Sequence, residues 1–205
     1  MNPLLFQQPP SLENDRIKLV PMQQEHAPFL YKISNHDIWS FMLGNIQKEA
    51  DMERWVANAL RARQKMTSLP FVVMIKESNK VIGTTRIYEM NNKTKSCEIG
   101  YTWYAMPYQR TFVNSDCKYL LLQYCFEQLG YIRVQFKTDE WNIRSQKAIE
   151  RLGAVKEGII RNERIHYNGY VRNAVLYSIT DQDWHEVKHK LINREKEYAS
   201  MRNQA

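Results

Sequence analysis

The sequence has 205 residues, of which 43% are hydrophobic, and it can therefore bury a sizeable core in a single domain. No basic and apolar leader opens the chain, and its apolar runs, such as residues 71–75, are far too short to cross a bilayer. We therefore expect a cytoplasmic protein with no membrane partner. The net charge of +7 is spread along the chain, so nucleic acid is the minority interpretation beside an anionic cofactor or ordinary solubility.

The first half of the chain predicts two helices between strands. Residues 1–13 contain three prolines and no hydrophobic period, so we expect an N-terminal arm there. A strand follows around residues 15–22, then one helix begins near Glu25 and another runs from about Asp51 to Lys65. Residues 70–106 contain three strand-like runs separated by the polar turns ESNK and NNKTKS, and this predicts a three-stranded meander.

The second half alternates helices and strands. Apolar residues at helical spacing predict a helix capped by Asn114 or Ser115; they are Val113, Cys117, Leu120, Leu121 and Tyr124. A strand over residues 132–139 follows, with one face made of Ile132, Val134 and Phe136, and then a helix from about Asn142 to Leu152. Residues 154–161 and 171–179 predict strands, and Asp181 is expected to cap the last helix. A crossover helix between strands, placed after a meander, implies a mixed α/β sheet.

The cysteines favour neither a disulfide framework nor a metal site. Cys97, Cys117 and Cys125 are odd in number and form no C-x-x-C pair. The last two fall within or beside an apolar helical stripe, where a small buried thiol is the common outcome.

The helix that starts near Asn114 is a natural seat for an anion. Its unpaired backbone N–H groups and the positive end of its dipole point the same way, and Arg110 and Lys118 lie beside this end. An ordinary capped surface helix would show the same pattern, so the rest of the chain has to decide.

The order of these elements, together with residues 98–104, 107–114 and 138–158, resembles the GCN5-related N-acetyltransferase (GNAT) superfamily. The resemblance runs from about Asp15 to Trp184 and is greatest to the branch of the ribosomal-protein alanine acetyltransferases. It implies an α/β (α+β) fold with a mixed, mostly antiparallel central sheet flanked by helices. It also implies an acyltransferase that uses acetyl-CoA, bound in a V-shaped cleft between the strand ending at residue 104 and the next strand.

The resemblance places the cosubstrate's pyrophosphate on a loop that matches the family pattern Q/R-x-x-G-x-G/A. The loop consists of Gln109, Arg110, Thr111, Phe112, Val113 and Asn114. Phe112 and Asn114 depart from the pattern, so their side chains must turn away for the backbone to approach phosphate. Asp116 in the first helical turn opposes a diphosphate, and Arg110 can offset that repulsion.

The remaining cosubstrate contacts also come from the resemblance. The backbone of Trp103 and Tyr104 would pair with the pantetheine arm like an added strand, and Asn142 would hydrogen-bond it. Asn is also a favoured helix cap, and the two roles are compatible. Ser145 aligns with the serine that is thought to protonate the leaving thiolate in the ribosomal branch. Ile149 stands where many members have a tyrosine, so the donor is Ser145, a nearby tyrosine or water.

Acetyl transfer from a thioester to an amine needs a group that removes the amine's proton, and burial beside apolar rings raises the pKa of a carboxyl toward that task. Glu98, in the ring-rich segment CEIGYTWY, is the best-placed candidate. Glu89 is an alternative. Glu163 is the other, because it lies near where the ribosomal branch carries a catalytic carboxylate. A solvated strand residue is the better interpretation for at least two of the three.

Residues 185–189 match H-E-x-x-H, a zinc motif in which two histidines share one helical face. Only 16 residues follow His189, the extension that supplies a third histidine is missing, and Lys188 and Lys190 would crowd the metal with cations. Packing of Trp184 and Leu191 explains the helix, so we expect no metal here.

The sequence thus predicts an acetyl-CoA-dependent N-acetyltransferase whose acceptor is a protein N-terminus or a small-molecule amine. The acceptor pocket could be lined by Trp39, Phe41, Trp55 and Arg61, although core packing explains the aromatic residues equally well. One alternative stays open, a catalytically degenerate GNAT module that binds CoA without turnover; the zinc hydrolase is the third interpretation and is discounted for the reasons given. The predicted parts are an arm (1–13), the acetyltransferase domain (14–184) and the rest of the last helix with the tail (185–205). A homodimer is left open.

Overall fold

The fold is built on one eight-stranded sheet. The computed structural model describes residues 3–42 and 44–202. The strands are β1 (Leu12–Glu13), β2 (Ile17–Pro21), β3 (Ser68–Ile75), β4 (Val81–Asn91), β5 (Ser96–Tyr104), β6 (Arg133–Asp139), β7 (Val155–Ile165) and β8 (Val171–Thr180). Their order is β1-β2-β3-β4-β5-β6-β8-β7, with β5 and β6 parallel and the other neighbours antiparallel within the described ranges. The predicted mixed, mostly antiparallel sheet is confirmed.

Helices cover both faces of this sheet. They are α1 (Pro3–Gln7), α2 (Ala27–Ile33), α3 (His36–Trp39), α4 (Glu49–Gln64), α5 (Val113–Gln123), α6 (Ile143–Glu150) and α7 (Asp181–Arg202). The helices α5, α6 and α7 contribute to the main core, and α2, α3 and α4 to a second cluster. Val72 and Val73, neighbours on β3, belong to different clusters, so the two clusters lie on opposite faces of the sheet.

The N-terminal segment differs from the predicted arm. Residues 3–7 form α1, and Phe6 is buried in the main core with 4% of its surface exposed. Leu12 pairs with Leu19 of β2, which extends the sheet by one short strand. The apolar residues here are too few to show a period, so only the folded chain reveals that the segment packs on the domain.

The predicted cap of α5 is wrong. The helix begins at Val113, before both predicted caps, and its N-cap Phe112 has no side-chain hydrogen bond to the first turn. The Asn114 side chain instead accepts a hydrogen bond from the Tyr104 hydroxyl (3.3 Å). Ser115 lies inside the helix. A tertiary contact with β5 has therefore replaced the local capping bond that the sequence favours.

One other local prediction is also wrong. Ile132, expected on the buried face of β6, precedes the strand and is 48% exposed. At the start of α7, Asp181 Oδ1 accepts a hydrogen bond from Gln182 N (3.1 Å), as expected of a cap, and Asp183 adds a second set of contacts. Its Oδ2 accepts hydrogen bonds from Thr180 N (2.9 Å) and Thr180 Oγ1 (2.6 Å).

The C-terminal helix shows no break at the predicted boundary after residue 184. Trp184, Val187 and Leu191 are all buried, and α7 continues to Arg202. Residues 203–205 of the predicted tail lie outside the described ranges. Among the helices that the structure describes, none has the length and apolar character needed to cross a bilayer.

Candidate active site

A cleft opens where two central strands separate. The parallel strands β5 and β6 pair at three positions, the last of them between Glu98 and Gln135. Both strands continue beyond this point, β5 to Tyr104 and β6 to Asp139. Residues from both diverging ends line a cleft of about 900 Å³. The V-shaped opening thus lies between the two strands where the resemblance implies it.

The loop before α5 forms one rim of this cleft, to which it contributes Gln109, Arg110, Thr111 and Asn114. Gln109 Nε2 donates to the Tyr104 carbonyl (3.0 Å), and Gln109 Oε1 accepts from Arg144 on α6 (3.0 Å). Gln109 therefore ties the loop to both walls. The left-handed backbone falls on Arg110 (φ 60°), not on either position where the family has glycine.

Phe112 and Asn114, which stand where the family pattern has glycine, each make contacts of their own. The Phe112 ring packs against the main core, with the Arg16 guanidinium 4.6 Å from its centroid. Asn114 is bound by Tyr104, as described above. Val113, between them, is fully buried. The departures from the glycine pattern thus require no left-handed backbone at these positions.

Asp116 does not present a bare charge at the start of α5. It is 3% exposed, and its Oδ2 accepts hydrogen bonds from Arg16 Nε (2.8 Å) and Asn14 Nδ2 (3.0 Å). The guanidinium of Arg16 also reaches Oδ1 (2.5 Å). Because Arg16 supplies the opposite charge, the repulsion that the sequence predicts between Asp116 and a diphosphate is offset from outside the loop.

The start of α6 forms the opposite wall. Asn142 Oδ1 accepts a hydrogen bond from the Ser145 backbone N–H (3.0 Å), so the predicted capping role of Asn142 is confirmed. Ser145 lines the cleft and is partly exposed, which leaves its hydroxyl accessible to a ligand. Ile149 lines the same wall and is 7% exposed.

The three candidate carboxylates converge on one lysine that the sequence does not single out. Lys137 Nζ lies 3.0 Å from Glu98 Oε2, 3.4 Å from Glu163 Oε1 and 3.9 Å from Glu89 Oε2. Burial lowers the pKa of Lys137, but the carboxylates outweigh burial and the net pKa is raised. The sequence feature that could have identified Lys137 is the alternation on β6. Gln135 and Lys137 face away from the side that carries Val134 and Phe136.

Glu98 is the most enclosed of the three carboxylates, with 1% of its surface exposed. It accepts hydrogen bonds from the Tyr88 hydroxyl, from Gln135 Nε2 (3.0 Å) and from Lys137. Gly100 leaves space for the tyrosine, since a Cβ there would stand 2.9 Å from Tyr88 Cε1. Desolvation and the charge of Glu98 raise the pKa of Tyr88, so its hydroxyl stays protonated. Glu98 is therefore buried, as the sequence argument requires, but it is also ion-paired.

Glu163 and Glu89 differ in access to the cleft. The side chain of Glu163 on β7 is 8% exposed and lines the cleft. Its Oε1 is 3.3 Å from Arg164 Nη2, and its buried Oε2 makes no hydrogen bond, although Arg172 Nε is 3.7 Å away. The Glu89 side chain is 53% exposed and is absent from the described lining of the cleft.

Of the predicted acceptor residues, Phe41 lines the cleft beside Asp37, Ile38 and Met42. Trp39 and Trp55 are buried in the second cluster, where the Trp39 ring is 5.8 Å from Trp103 and 5.9 Å from Trp55 between centroids. They support the wall from behind. Arg61 is exposed on α4 and is not part of the described lining.

The residues of the H-E-x-x-H match lie on α7, outside the described lining of the cleft. The rings of His185 and His189 are 4.6 Å apart between centroids, and Glu186 pairs with Lys190 (2.5 Å). Within the described part of the chain, no group of three or more histidine, cysteine or acidic side chains could hold a metal.

Known proteins share this architecture and sequence pattern. Residues 16–155 match the family described as the acetyltransferase (GNAT) domain. YdaF of Bacillus subtilis (strain 168), described provisionally as a ribosomal N-acetyltransferase, is 28% identical over 103 residues. That match covers 50% of this chain and 55% of YdaF, so the chain spans little more than half of that relative. YoaA of the same organism, described as an uncharacterised N-acetyltransferase, is 23% identical over 83% of this chain and 96% of its own.

A solved structure agrees over nearly the whole fold. The crystal structure of a GCN5-related N-acetyltransferase from Brucella melitensis has a TM-score of 0.83 and 25% identity. It covers 90% of this chain and 84% of its own. The family match spans most of the chain, and the structural match covers 90% of it. The chain therefore belongs to the GNAT family of acetyl-CoA-dependent acyltransferases.

Proposed function

We propose that this protein transfers the acetyl group of acetyl-CoA to an amine, either a protein N-terminus or a small-molecule amine. The observation that carries the proposal is the opening between β5 and β6. The start of α5 lies at one rim of this cleft, and Glu98 lies where the strands begin to part. The cosubstrate and a proton acceptor can therefore share one cleft.

The pyrophosphate is assigned to the loop of residues 109–114, where the dipole of α5 and the charge of Arg110 favour an anion. The pantetheine arm is assigned to the backbone of Trp103 and Tyr104. Beyond Glu98, the edge of β5 that faces β6 has no strand partner among the described residues, so its backbone groups can pair with an added chain. Asn142, on the opposite wall, is assigned as a further contact of this arm.

Glu98 is assigned as the base that takes the proton from the acceptor amine. It lines the cleft, and its Oε2 lies 3.0 Å from the Lys137 ammonium. Glu163 is the alternative base, because it lines the same cleft and its Oε2 makes no hydrogen bond. Glu89 is less suited, since its side chain is largely in solvent.

Ser145 is assigned as the hydroxyl that gives the leaving sulfur its proton. It follows the Asn142 cap by three residues at the N-terminal end of α6, where the helix dipole favours a developing negative charge. Because the cap uses the backbone of Ser145 and not its hydroxyl, the hydroxyl can serve the reaction without weakening the helix end.

The test is release of free CoA thiol by the purified protein in the presence of acetyl-CoA and a panel of amines. The panel should contain peptide N-termini, polyamines, amino acids and amine-bearing antibiotics. We expect release that depends on at least one amine and is lost in a Glu98→Gln, Glu163→Gln double variant. Tight CoA binding without release from any amine would overturn the proposal in favour of a degenerate CoA-binding module.

A further inference from the structure

A second lysine in the cleft has no carboxylate beside it. Lys118 projects from α5, is 5% exposed, and lines the cleft. Its Nζ donates to Thr102 Oγ1 on β5 (2.7 Å) and lies 5.8 Å from the centroid of the Phe136 ring on β6. It therefore stands between the two strands just beyond the point where they part.

This environment is costly for a charged group. Lys118 makes no ion pair with a carboxylate of the described residues, and Thr102 is the one described acceptor for its three N–H donors. Desolvation lowers the pKa of Lys118 to about 8. A buried ammonium without a counter-charge is the kind of group that a protein keeps at a site where a ligand supplies the negative charge.

The strands hold this lysine in place by an irregularity in the sheet. Arg86 pairs with Gly100 and Thr84 with Trp103, so Tyr101 and Thr102 together face a single residue of β4. Tyr101 takes the left-handed conformation (φ 51°) at this bulge. The Thr102 and Thr85 hydroxyls are consequently 2.8 Å apart, which fixes the acceptor for Lys118.

We propose that Lys118 is a catalytic residue whose ammonium faces the sulfur of acetyl-CoA and stabilises the thiolate as it leaves. The inference rests on the proposed function and deepens it. The ammonium lies on the wall formed by α5 and β5, whereas Ser145 lies on the wall formed by α6. The two groups therefore approach the sulfur from different sides, one with a charge and the other with a proton.

In the transfer step, the neutral amine forms a bond to the carbonyl carbon, the carbon–sulfur bond breaks, and its electron pair stays on sulfur. The thiolate then takes the hydroxyl proton of Ser145, which is replaced from solvent, while the proton of the amine goes to the carboxylate base. Lys118 keeps its own proton throughout and supplies only charge.

The other titratable groups described near Lys118 do not supply an unpaired positive charge to the leaving sulfur. Cys117 is next to it on α5, and desolvation raises the pKa of this thiol. Tyr104 on β5 is buried, and desolvation likewise raises its pKa. Glu98 and Lys137 pair with each other, so the charge of Lys137 is already matched. Lys118 is therefore the unpaired cation among these groups.

The deciding experiment measures the pKa of the thiol of CoA bound to the protein, from the ultraviolet absorbance of its thiolate against pH. The complex with desulfo-CoA provides the baseline. We expect binding to lower the thiol pKa by about one unit or more, because a cation close to a thiolate favours the ionised form. Lys118→Met should abolish the shift, and Lys118→Gln provides a second neutral variant. Lys156→Met, on an exposed part of β7, should keep it.

Fold integrity is followed through the thermal midpoint. Because Lys118→Met removes a buried and unpaired charge, its midpoint should not fall, while its single-turnover rate should fall roughly a hundredfold. A thiol pKa in the wild-type complex equal to that of free CoA would overturn the Lys118 assignment alone. The same holds if both neutral variants keep the shift. Failure of the wild-type protein to bind CoA would overturn this inference together with the proposed function.

Discussion

Two lysines on the cleft walls carry the same group in opposite surroundings. Lys118 on α5 is 5% exposed and donates to the neutral hydroxyl of Thr102, and desolvation lowers its pKa to about 8. The side chain of Lys137 on β6 is 11% exposed and lies within 3.4 Å of Glu98 and Glu163. Its pKa is raised because these carboxylates outweigh the effect of burial.

Since both lysines are largely out of water, the difference between them comes from their partners. A buried ammonium loses hydration whatever its neighbours are, and a nearby carboxylate compensates for that loss. The Lys118 side of the cleft therefore offers an unmatched positive charge to a ligand. The Lys137 side offers two carboxylates, those of Glu98 and Glu163, beside one ammonium. The first environment suits a leaving thiolate and the second suits proton removal from an amine.

The largest expected effect is on the Lys137 side. Glu98→Gln should lower the rate of acetyl transfer roughly a thousandfold, because the amide keeps the shape but cannot accept the amine's proton. Single-turnover kinetics with a saturating acceptor measures this. Glu89→Gln is the matched control, since Glu89 also faces Lys137 but is mostly in solvent, and its rate should stay near normal. A near-normal rate for Glu98→Gln, with loss of activity in Glu163→Gln, would assign the base to Glu163.

The next effect is a difference in stability between variants of the two lysines. Lys137→Met removes the cation shared by two buried carboxylates, and the free energy of unfolding should fall by about 3 kcal/mol. Urea denaturation at neutral pH measures the loss. Lys118→Met is the paired control and should show no loss. Equal destabilisation by the two substitutions would contradict the contrast between their surroundings.

Ser145→Ala should lower the single-turnover rate roughly a hundredfold and leave CoA affinity nearly unchanged. The helix cap persists in this variant, because Asn142 binds the backbone N–H of residue 145. The thermal midpoint should therefore hold as well. A normal rate would remove Ser145 from the chemistry and leave the charge of Lys118 as the stabiliser of the sulfur.

Arg110→Glu should weaken CoA binding by about 1 kcal/mol or more, because it replaces a charge that attracts phosphate with one that repels it. Calorimetric titration with CoA measures the change. The control is Arg161→Glu, an equal reversal of charge at an exposed position of β7. Equal weakening of CoA binding by both substitutions would show that Arg110 acts only through the net charge of the protein.

The smallest expected effect is a difference in pH dependence. The pKa of Lys118 is about 8 in the folded protein and 10.5 for an ordinary lysine, so the unfolded chain binds more protons between these values. The stability of the wild-type protein should therefore rise relative to Lys118→Met as pH rises through about 8. Between about pH 7.5 and 8.5 the gain should be about 0.7 kcal/mol by denaturant titration. A constant difference across that interval would show that Lys118 does not titrate there.

Local patterns predicted the elements that carry them. The helix α4 was expected over residues 51–65 and runs over 49–64, because its apolar stripe is long and regular. The meander of β3, β4 and β5 and the Asn142 cap were also readable from neighbouring residues. The errors occurred at α1, at the start of α5 and at Ile132, where burial or a long-range contact decided the outcome.

The sequence by itself determined the order of helices and strands and the motifs that identify the family, because both reside in residues close together along the chain. Only the tertiary structure decided that Glu98 and Glu163 meet at Lys137, and that Lys118 reaches Thr102 across 16 positions. A hydrophobic period records which face of an element is buried, but not where two strands part. The charges at that parting come from four elements, α5, β5, β6 and β7, and the folded sheet alone brings them together.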